Sequence, residues 1–432
     1  LPAAVYHPAE STTKTGRNLV VAVNVAPLLG AQDLSVLSDF LLFAITLACV
    51  AIFHRHTLAI ALTGLAAIIV KKLASTGFAE GAGLAGLLAH FEHEWVLLAN
   101  LFLLLLGFAL LARHFEASRV PDWMPAFLPD NWTGGFVLLV LVFVISSFLD
   151  NIAAALIGAT VARRVFNGRV RIGYLAAIVA ASNAGGSGSV IGDTTTTMLW
   201  IAGLSPLSVL HAYVAATCAL FVSGVPASLA QQKYAPIDKD QPSGLRISFR
   251  HVAVVIIVLA SAIAANVGAH LYNPQILDRI PLIGLAVAAA ILLTAPVARP
   301  DWPILPQAAR GALFLIALVS AASMMPVKSL PSPGWETALG LGFVSAVFDN
   351  IPLTALAIKQ GSYDWGVLAY AVGFGGSMIW FGSSAGVAVA GLIPEAKSAA
   401  RWLREGWAVA LAYIAGFGLM LALLGWNPES LP

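Results

Sequence analysis

Apolar residues run along this chain in long blocks cut by short polar joints, and the blocks fall into two sets. The first set predicts helical spans near 38–53, 57–72 and 95–112, then a run over 133–162, then 172–201 and 206–229. The second predicts spans near 251–271, 280–297 and 309–326, then a run over 336–358, then 366–392 and 406–425. Several reach or approach the roughly 20 apolar residues that cross a hydrocarbon core. Between the sets lies QQKYAPIDKDQPSGLRISFR, a polar stretch with Pro and Gly that reads as a joint between halves. Residues 1–37 are polar and mixed, a tail that could carry one short surface helix, and 427–432 form a C-terminal tail. The chain opens on Leu1 rather than Met, as a processed or truncated terminus would.

Both sets follow one order: three spans, a run interrupted by Asp-Asn, a glycine-rich run and a final span. FLDNIAAAL, with Asp150 and Asn151, pairs with VFDNIPLTA, with Asp349 and Asn350. NAGGSGSVIGDT pairs with GFGGSMIWFGSS without a gap, bringing Gly185, Gly186, Ser187 and Gly192 onto Gly375, Gly376, Ser377 and Gly382. This predicts a first transmembrane repeat over 38–230, a cytoplasmic linker over 231–250 and a second repeat over 251–426.

Basic residues orient such a chain, because cytoplasmic loops carry the excess of Lys and Arg. With the linker inside, and each Asp-Asn run (133–162 and 336–358) a hairpin that enters and leaves on one side, most of the 23 Lys and Arg fall inside. Arg55, Arg113, Arg119, Arg163, Arg164, Arg169 and Arg171 are among them, as are Lys233, Lys239, Arg246 and Arg250, then Arg299, Arg310, Lys397, Arg401 and Arg404. Lys14, Arg17, Arg279, Lys328 and Lys359 fall outside, as do Lys71 and Lys72, which sit badly with the scheme. An odd number of full crossings per half makes the second half inverted. The predicted fold is therefore an all-α polytopic membrane protein of two inverted-topology repeats. Each repeat has about five spans plus one re-entrant helical hairpin and one interrupted span, with both termini outside, a recurring build for secondary transporters.

Composition agrees with this pattern. Of 432 residues, 59% are hydrophobic and only 10% charged, where a soluble chain carries roughly a quarter. Lipid must therefore be part of its solvent. Cys49 and Cys218 lie within apolar runs and read as small hydrophobes, not a disulfide or metal site. No Walker A motif, no GxGxxG after a strand, no HExxH and no GxSxG occurs, which argues against an ATP-driven pump and the common enzyme chemistries. The expectation is a non-enzyme without cofactor, whose partners are small ions and the bilayer, with no nucleic acid.

The candidate chemistry lies in the interruptions. Asp150 and Asp349 are the only charges in their runs, and Asp193 is the only one between Ile172 and Gln232. A charge at the bilayer centre costs at least about 2.5–3.5 kcal/mol on insertion scales. Capping a helix start is the duller reading of such an acid, but three of them, two at matching positions, point to function. At a hairpin tip, the C-terminal carbonyls of one half-helix are partially negative, and Asp and Asn supply further oxygens for a cation. Pro352 suits a fresh helix start. The stretch Asn183–Gly188, with Gly185, Gly186 and Gly188, is too glycine-rich to hold a continuous helix. Together with Gly192 it should break the span, and Gly375, Gly376 and Gly382 should break its counterpart. Close helix packing by small residues is the alternative. Without an intramembrane Lys or Arg, each carboxylate needs either a proton or a metal ion to neutralise it. An all-oxygen site at Asp150, Asn151, Asp193, Asp349 and Asn350 suits Na+, and one site taking H+ or Na+ but not both gives exchange by competition.

SSFLDNIAAAL, AASNAGGSGSVIGDTTTTMLW, SAVFDNIP and GFGGSMIWFGSSAGVAVAG resemble the NhaD-type Na+/H+ antiporters of the ion transporter superfamily. That superfamily also holds dicarboxylate and citrate symporters and arsenite transporters. The resemblance covers about half the chain. It implies a homodimer in the cytoplasmic membrane, with a scaffold and a mobile transport domain working by an elevator-like movement, that exchanges Na+ or Li+ for H+. It carries substrate-site roles onto Asp150, Asn151, Asn183, Asp193, Thr194, Asp349, Asn350, Ser377, Ser383 and Ser384. Two departures bear on selectivity: Ile152-Ala153-Ala154-Ala155 stands where the antiporters tend to carry a Thr-rich stretch, and Ser187-Gly188 replaces a bulky residue. The alternative function is Na+-coupled uptake of a di- or tricarboxylate. Acidic tips at Asp150 and Asp349 would repel such a substrate, where related carriers use neutral Ser-Asn-Thr tips. A channel or intramembrane enzyme would have no use for the paired broken helices.

Weaker signals have plain readings. HFEHEW, with His90, Glu92, His93 and Glu94, predicts a solvated loop or interface segment, with a pH sensor or adventitious metal site as the sharper alternative. His211 and His270 read as interfacial, and Lys359 as a snorkelling lysine. Trp123, Trp132, Trp302, Trp335, Trp365, Trp407 and Trp426 read as an aromatic belt.

Overall fold

The computed structural model describes residues 31–53, 56–75, 77–238 and 246–430. Of the tail expected over residues 1–37, residues 1–30, with Lys14 and Arg17, lie outside them and 31–37 belong to a helix; Arg55, Lys239, the middle of the linker and the side chain of His270 also lie outside. The described chain is helical throughout. In hydrocarbon an apolar run can satisfy its backbone polar groups only within itself, and a helix does so without a partner strand. Among the described residues there is no strand, only the isolated bridges Phe78–Gly81 and Tyr363–Glu429.

Helices α1 (Ala31–Ile52), α2 (Thr57–Ala74) and α3 (Gly83–Ala117) lead into a short α4 (Val120–Trp123). Then come α5 (Trp132–Ser146) and α6 (Asn151–Val165), followed by α7 (Ile172–Ser187) and α8 (Thr194–Ile201). A turn α9 (Leu207–Leu210) continues into α10 (Ala212–Tyr234). Beyond the linker the order recurs with α11 (Phe249–Tyr272), α12 (Leu282–Thr294) and α13 (Leu305–Ser323). The pair α14 (Trp335–Ser345) and α15 (Asn350–Gln360) precedes α16 (Trp365–Gly375), a 3-10 turn Gly376–Met378, and α17 (Ser384–Leu392). A short α18 (Ala399–Glu405) and α19 (Trp407–Leu424) close the chain.

Six helical segments among the described residues are long and apolar enough to cross a membrane. Large apolar side chains such as Leu62, Ile256, Leu313, Leu411 and Ile414 are exposed on them. Such an outside needs lipid, and the protein is a multi-pass membrane protein. The arms α5, α6, α14 and α15 have 15, 15, 11 and 11 residues. At 1.5 Å per residue each rises about 16–23 Å, short of a core roughly 30 Å thick.

Two packed cores carry the helices. The larger joins α5, α6, α7, α10, α16 and α19 around Tyr174, Trp365, Tyr370, Trp402 and Tyr413, and extends to α11 and α12. The smaller joins α1, α2 and α13, and takes in Leu101 of α3, Met198 of α8 and Ile351, Ala355 and Leu356 of α15. Leu353 and Ala357 of α15 face the larger core, so this one arm contributes to both.

Several expectations change. HFEHEW is not a loop but lies within α3, whose 35 residues start at Gly83. His90 turns inward, with Nδ1 3.0 Å from Glu80 and Nε2 3.0 Å from the Ser323 hydroxyl, while Glu92 and His93 stay exposed. Buried hydrogen bonds to neighbouring elements thus allow the charged stretch to continue the helix. Lys71 and Lys72 both pair with the buried Asp39 of α1, an acid the charge scheme overlooked and one that offsets their misplaced charge. Lys359 does not snorkel freely, since its ammonium donates to the Ser323 carbonyl at the end of α13. Trp365 leaves the aromatic belt for the core, its indole donating to the Glu429 carbonyl at 2.8 Å.

His211 ties the two halves together. Its Nε2 lies 2.8 Å from Asp364, a buried carboxylate that caps α16 through the Val367 amide and also accepts from the Asn427 amide. Burial pushes this carboxyl up, but the hydrogen bond from His211 and those from the two amides outweigh it and hold it below the usual carboxylate range. A group depressed in the folded state contributes stability above its unfolded value near pH 4, and loses it as pH falls toward the folded value. His211→Ala should therefore cost about 1.5 kcal/mol at pH 7. Thermal unfolding in detergent should show the gap from wild type narrowing at pH 3.5; an unchanged gap would count against a charged Asp364 as its source.

Candidate functional site

The site begins with two hairpin tips of the same geometry. Asp150 stands at the N-cap position of α6 with φ −50° and ψ 136°, and Asp349 caps α15 with φ −54° and ψ 141°. Extended backbone at an N-cap turns the chain into the new helix and leaves the carboxylate by the first-turn N–H groups. The next residue, Asn151 or Asn350, is already helical and its side chain is buried. Each hairpin is pinned by a serine one turn earlier: Ser146 Oγ donates to the Ser182 carbonyl at 2.6 Å, and Ser345 Oγ to the Val372 carbonyl at 2.7 Å.

The interrupted spans differ from expectation in one respect. Helix α7 continues through Gly185 and Gly186 to Ser187, and the break lies beyond, over 188–193. In the second half α16 ends at Gly375, the 3-10 turn follows, and the break lies over 379–383. The glycine doublet in the first half permits contact and does not end the helix. A Cβ on Gly185 would stand 2.0 Å from the Phe143 carbonyl oxygen of α5, and one on Gly375 would stand 2.3 Å from the Gly342 oxygen of α14. A Cβ on Gly192 or Gly382 would meet the Ser146 or Ala346 oxygen at 2.1 or 2.5 Å. Nor is the Gly185 carbonyl left for an ion: it accepts from Ser147 Oγ at 3.1 Å and Tyr213 Oη at 3.2 Å. Gly188 has the Tyr213 ring where a side chain would go.

Between the tips the side chains form a network around Asp193, with Asp349 and Ser384 bonded to each other beside it. Asp193 caps α8, its Oδ1 accepting from the Thr195 amide at 3.4 Å and its Oδ2 from Thr195 Oγ1 at 2.8 Å. The same carboxylate accepts from Asn151 Nδ2 at 3.1 Å and from Asn350 Nδ2 at 3.4 Å, so one acid joins both hairpins. Asn183 accepts from Asn151 Nδ2 at 3.0 Å, and its own amide donates to Ser377 Oγ at 2.9 Å and Ser383 Oγ at 3.1 Å. Ser383 caps α17 in the place that Asp193 holds on α8. Asp349 accepts from the Ile351 amide and from Ser384 Oγ, both at 3.1 Å. Capping is thus real for Asp193 and Asp349, but it occupies only part of each carboxylate.

A cavity of about 340 Å³ reaches this network, with Asp150, Asn151, Asp193, Thr194, Asn350 and Ser384 on its wall. All ten sequence-derived residues are therefore brought together, eight in hydrogen bonds and Asp150 and Thr194 as cavity wall. The opposite wall is α3 and α13, with Arg113, Glu116 and Gln307. Arg113 is engaged, 2.7 Å from Glu116 and 3.4 Å from Asp301. These cavity-wall residues escaped the sequence reading, as did Ser146, Ser345 and Tyr213, because no local pattern distinguishes them from ordinary helix-end and interface residues. Trp402 also escaped it; its indole donates to the Ser377 carbonyl at 3.1 Å. No group of three or more His, Cys, Asp or Glu among the described residues is placed to hold a metal ion. The oxygens at the site belong to amides, hydroxyls and the carboxylates of Asp150, Asp193 and Asp349.

An all-helical membrane protein with carboxylates at the starts of interrupted helices has the construction of a secondary transporter. By sequence this chain is similar to proteins named NhaD Na+/H+ antiporters. It is 27% identical to the NhaD of Alkalimonas amylolytica over 401 residues, covering 78% of this chain and 79% of that protein. It is 27% identical to the NhaD of Vibrio parahaemolyticus over 371 residues, 70% of this chain and 85% of that one. A stretch of 297 residues is 28% identical to sodium/proton antiporter 1 of Arabidopsis thaliana, 60% of this chain but only 50% of the plant protein. No family-level sequence profile matches the chain.

Proposed function

We propose that this protein exchanges Na+ or Li+ for H+ across the cytoplasmic membrane by alternating access. The observation that carries the reading is Asp193, a buried carboxylate bonded to an asparagine from each hairpin tip with no Lys or Arg in the network. The starts of α6, α8, α15 and α17 converge there, and their partial positive ends favour the ionised carboxylates. That help is partial, so a full positive charge is still wanted. Na+ seated among Asp150, Asn151, Asp193, Asp349 and Asn350 supplies it on one side of the membrane. On the other side, protons replace the ion and are carried back. Exchange follows because the site takes either charge and not both.

The recurring contacts of the two halves support two repeats, 38–230 and 251–426, joined by the 231–250 linker: the tip dihedrals, the pinning serines and the glycine approaches recur at matched positions, and the distribution of Lys and Arg favours an inverted second repeat. On that topology the cavity mouth at Arg113 and Gln307 faces the cytoplasm, and both termini lie outside. In this reading a homodimer provides a scaffold, past which the hairpins and broken spans move in an elevator-like step. The relatives named as antiporters support Na+ and H+ as the ions. Uptake of a carboxylate is disfavoured because Arg113, the one cation on the cavity wall, is already paired with Glu116 and Asp301.

Proteoliposomes holding a pH gradient provide the test. Added Na+ or Li+ should dissipate the gradient, read by dequenching of a trapped pH dye, while K+ and citrate should not. Dequenching by citrate with no response to Na+ or Li+ would assign the site to a carboxylate carrier instead.

A further inference from the structure

A second cavity, of about 320 Å³, lies at the arginine-rich end of the molecule between the start of α7, the second half of α10 and the junction of α18 with α19. Its wall includes Arg171, Tyr174, Ser223, Arg404, Glu405 and Trp407. It shares no wall residue with the ion cavity. We propose that it holds the phosphate of an anionic membrane lipid.

Charge comes first. Arg404 is exposed and makes no hydrogen bond or ion pair among the described residues. Arg171 approaches Glu405 only to 3.9 Å, beyond hydrogen-bond distance, and Glu405 lies nearer to Arg401, at 3.3 Å. Glu405 is therefore shared between Arg401 and Arg171, Arg404 is left over, and the cavity keeps a net positive charge. Guanidinium forks match phosphate oxygens in pairs, which a point-charge ammonium does not. Arg171 also stands at the N-cap of α7, a 16-residue helix whose first-turn N–H groups and positive dipole end face the same region.

Position selects the source of that phosphate. Trp407 is exposed on the cavity wall, and the helices that form the wall expose Leu229 of α10, Leu403 of α18 and Leu411 of α19. An exposed indole beside an exposed apolar strip marks headgroup depth in a bilayer, and basic pockets between transmembrane helices at this level take anionic lipid headgroups. A free phosphate would gain nothing from the apolar surround, whereas acyl chains would lie along it. The occupied pocket would brace α18, whose Trp402 holds the Ser377 carbonyl of the ion network.

Thermal unfolding of the purified full chain in detergent micelles tests this independently of the transported ion. Phosphatidylglycerol added to the micelles should raise the wild-type midpoint by several degrees over the same amount of phosphatidylcholine, and inorganic phosphate should not. Arg404→Gln, which removes an exposed group without a partner, should lose at least half of that shift, and Arg171→Gln with Arg404→Gln all of it. Equal shifts from the two lipids, a full shift retained in the double variant, or the same shift from inorganic phosphate would each overturn the assignment.

Discussion

Asp193→Asn is expected to abolish Na+-driven dissipation of a pH gradient while the protein still folds. The wild-type carboxylate receives Asn151, Asn350, the Thr195 hydroxyl and the Thr195 amide. An asparagine keeps one oxygen and turns an NH2 group toward donors, so one or two hydrogen bonds are lost, at about 1–3 kcal/mol for the buried group left unmatched. That lowers the unfolding midpoint without removing the fold. Transport fails for a different reason: a neutral side chain has no charge for Na+ or H+ to compensate. Asp193→Ser keeps the cap, because Ser383 performs the same one on α17 and Ser and Asp rank together as N-caps, but it gives up the bonds from Asn151 and Asn350. It should be destabilised by a similar amount and be equally inactive. Full transport by either variant, measured in proteoliposomes, would remove Asp193 from the exchange step.

Gly185→Ala and Gly375→Ala are expected to cause the largest losses of stability. In each case the new methyl group would overlap a backbone carbonyl oxygen of the neighbouring hairpin arm, at 2.0 and 2.3 Å. A backbone atom cannot rotate aside as a side chain can, so the hairpin must move away from the interrupted span. Overpacking typically costs 1–3 kcal/mol, and these contacts belong at the upper end, about 3 kcal/mol each. The displacement also stretches the bonds from Ser146 to Ser182 and from Ser345 to Val372. Gly268→Ala in α11 is the control, since nothing lies within 4 Å of its added methyl, and alanine is the better helix former. Heating the purified proteins should rank Gly268→Ala at or above wild type and the other two well below it. Parity of all three would show that the hairpins are not held by close backbone contact.

The glycine result explains one misreading. Glycine-rich sequence signals either a broken helix or a close approach, and composition alone does not choose between them. At Gly185 and Gly186 the neighbours decide: Phe143 of another helix needs the space beside the first and Gly192 and Asp193 the space beside the second, and the helix runs on to Ser187. HFEHEW went astray similarly, because the partners that let His90 enter the protein, Glu80 and Ser323, are contributed by other segments.

What the sequence determined by itself was local or additive. Apolar run length set the helices and the membrane, because backbone satisfaction and lipid solvation depend only on neighbouring residues. The Asp-Asn pairs at 150–151 and 349–350 marked the helix starts, because an acid at an N-cap and an uncharged run around it are both visible in one segment. Tertiary structure alone decided which groups share a charge or a proton. Asp193 meets Asn151 and Asn350 across 42 and 157 residues of chain, His211 meets Asp364 across 153, and Lys71 and Lys72 meet Asp39 on another helix. Hydrogen bonds act over about 3 Å, and only packing brings groups so far apart in sequence within that distance.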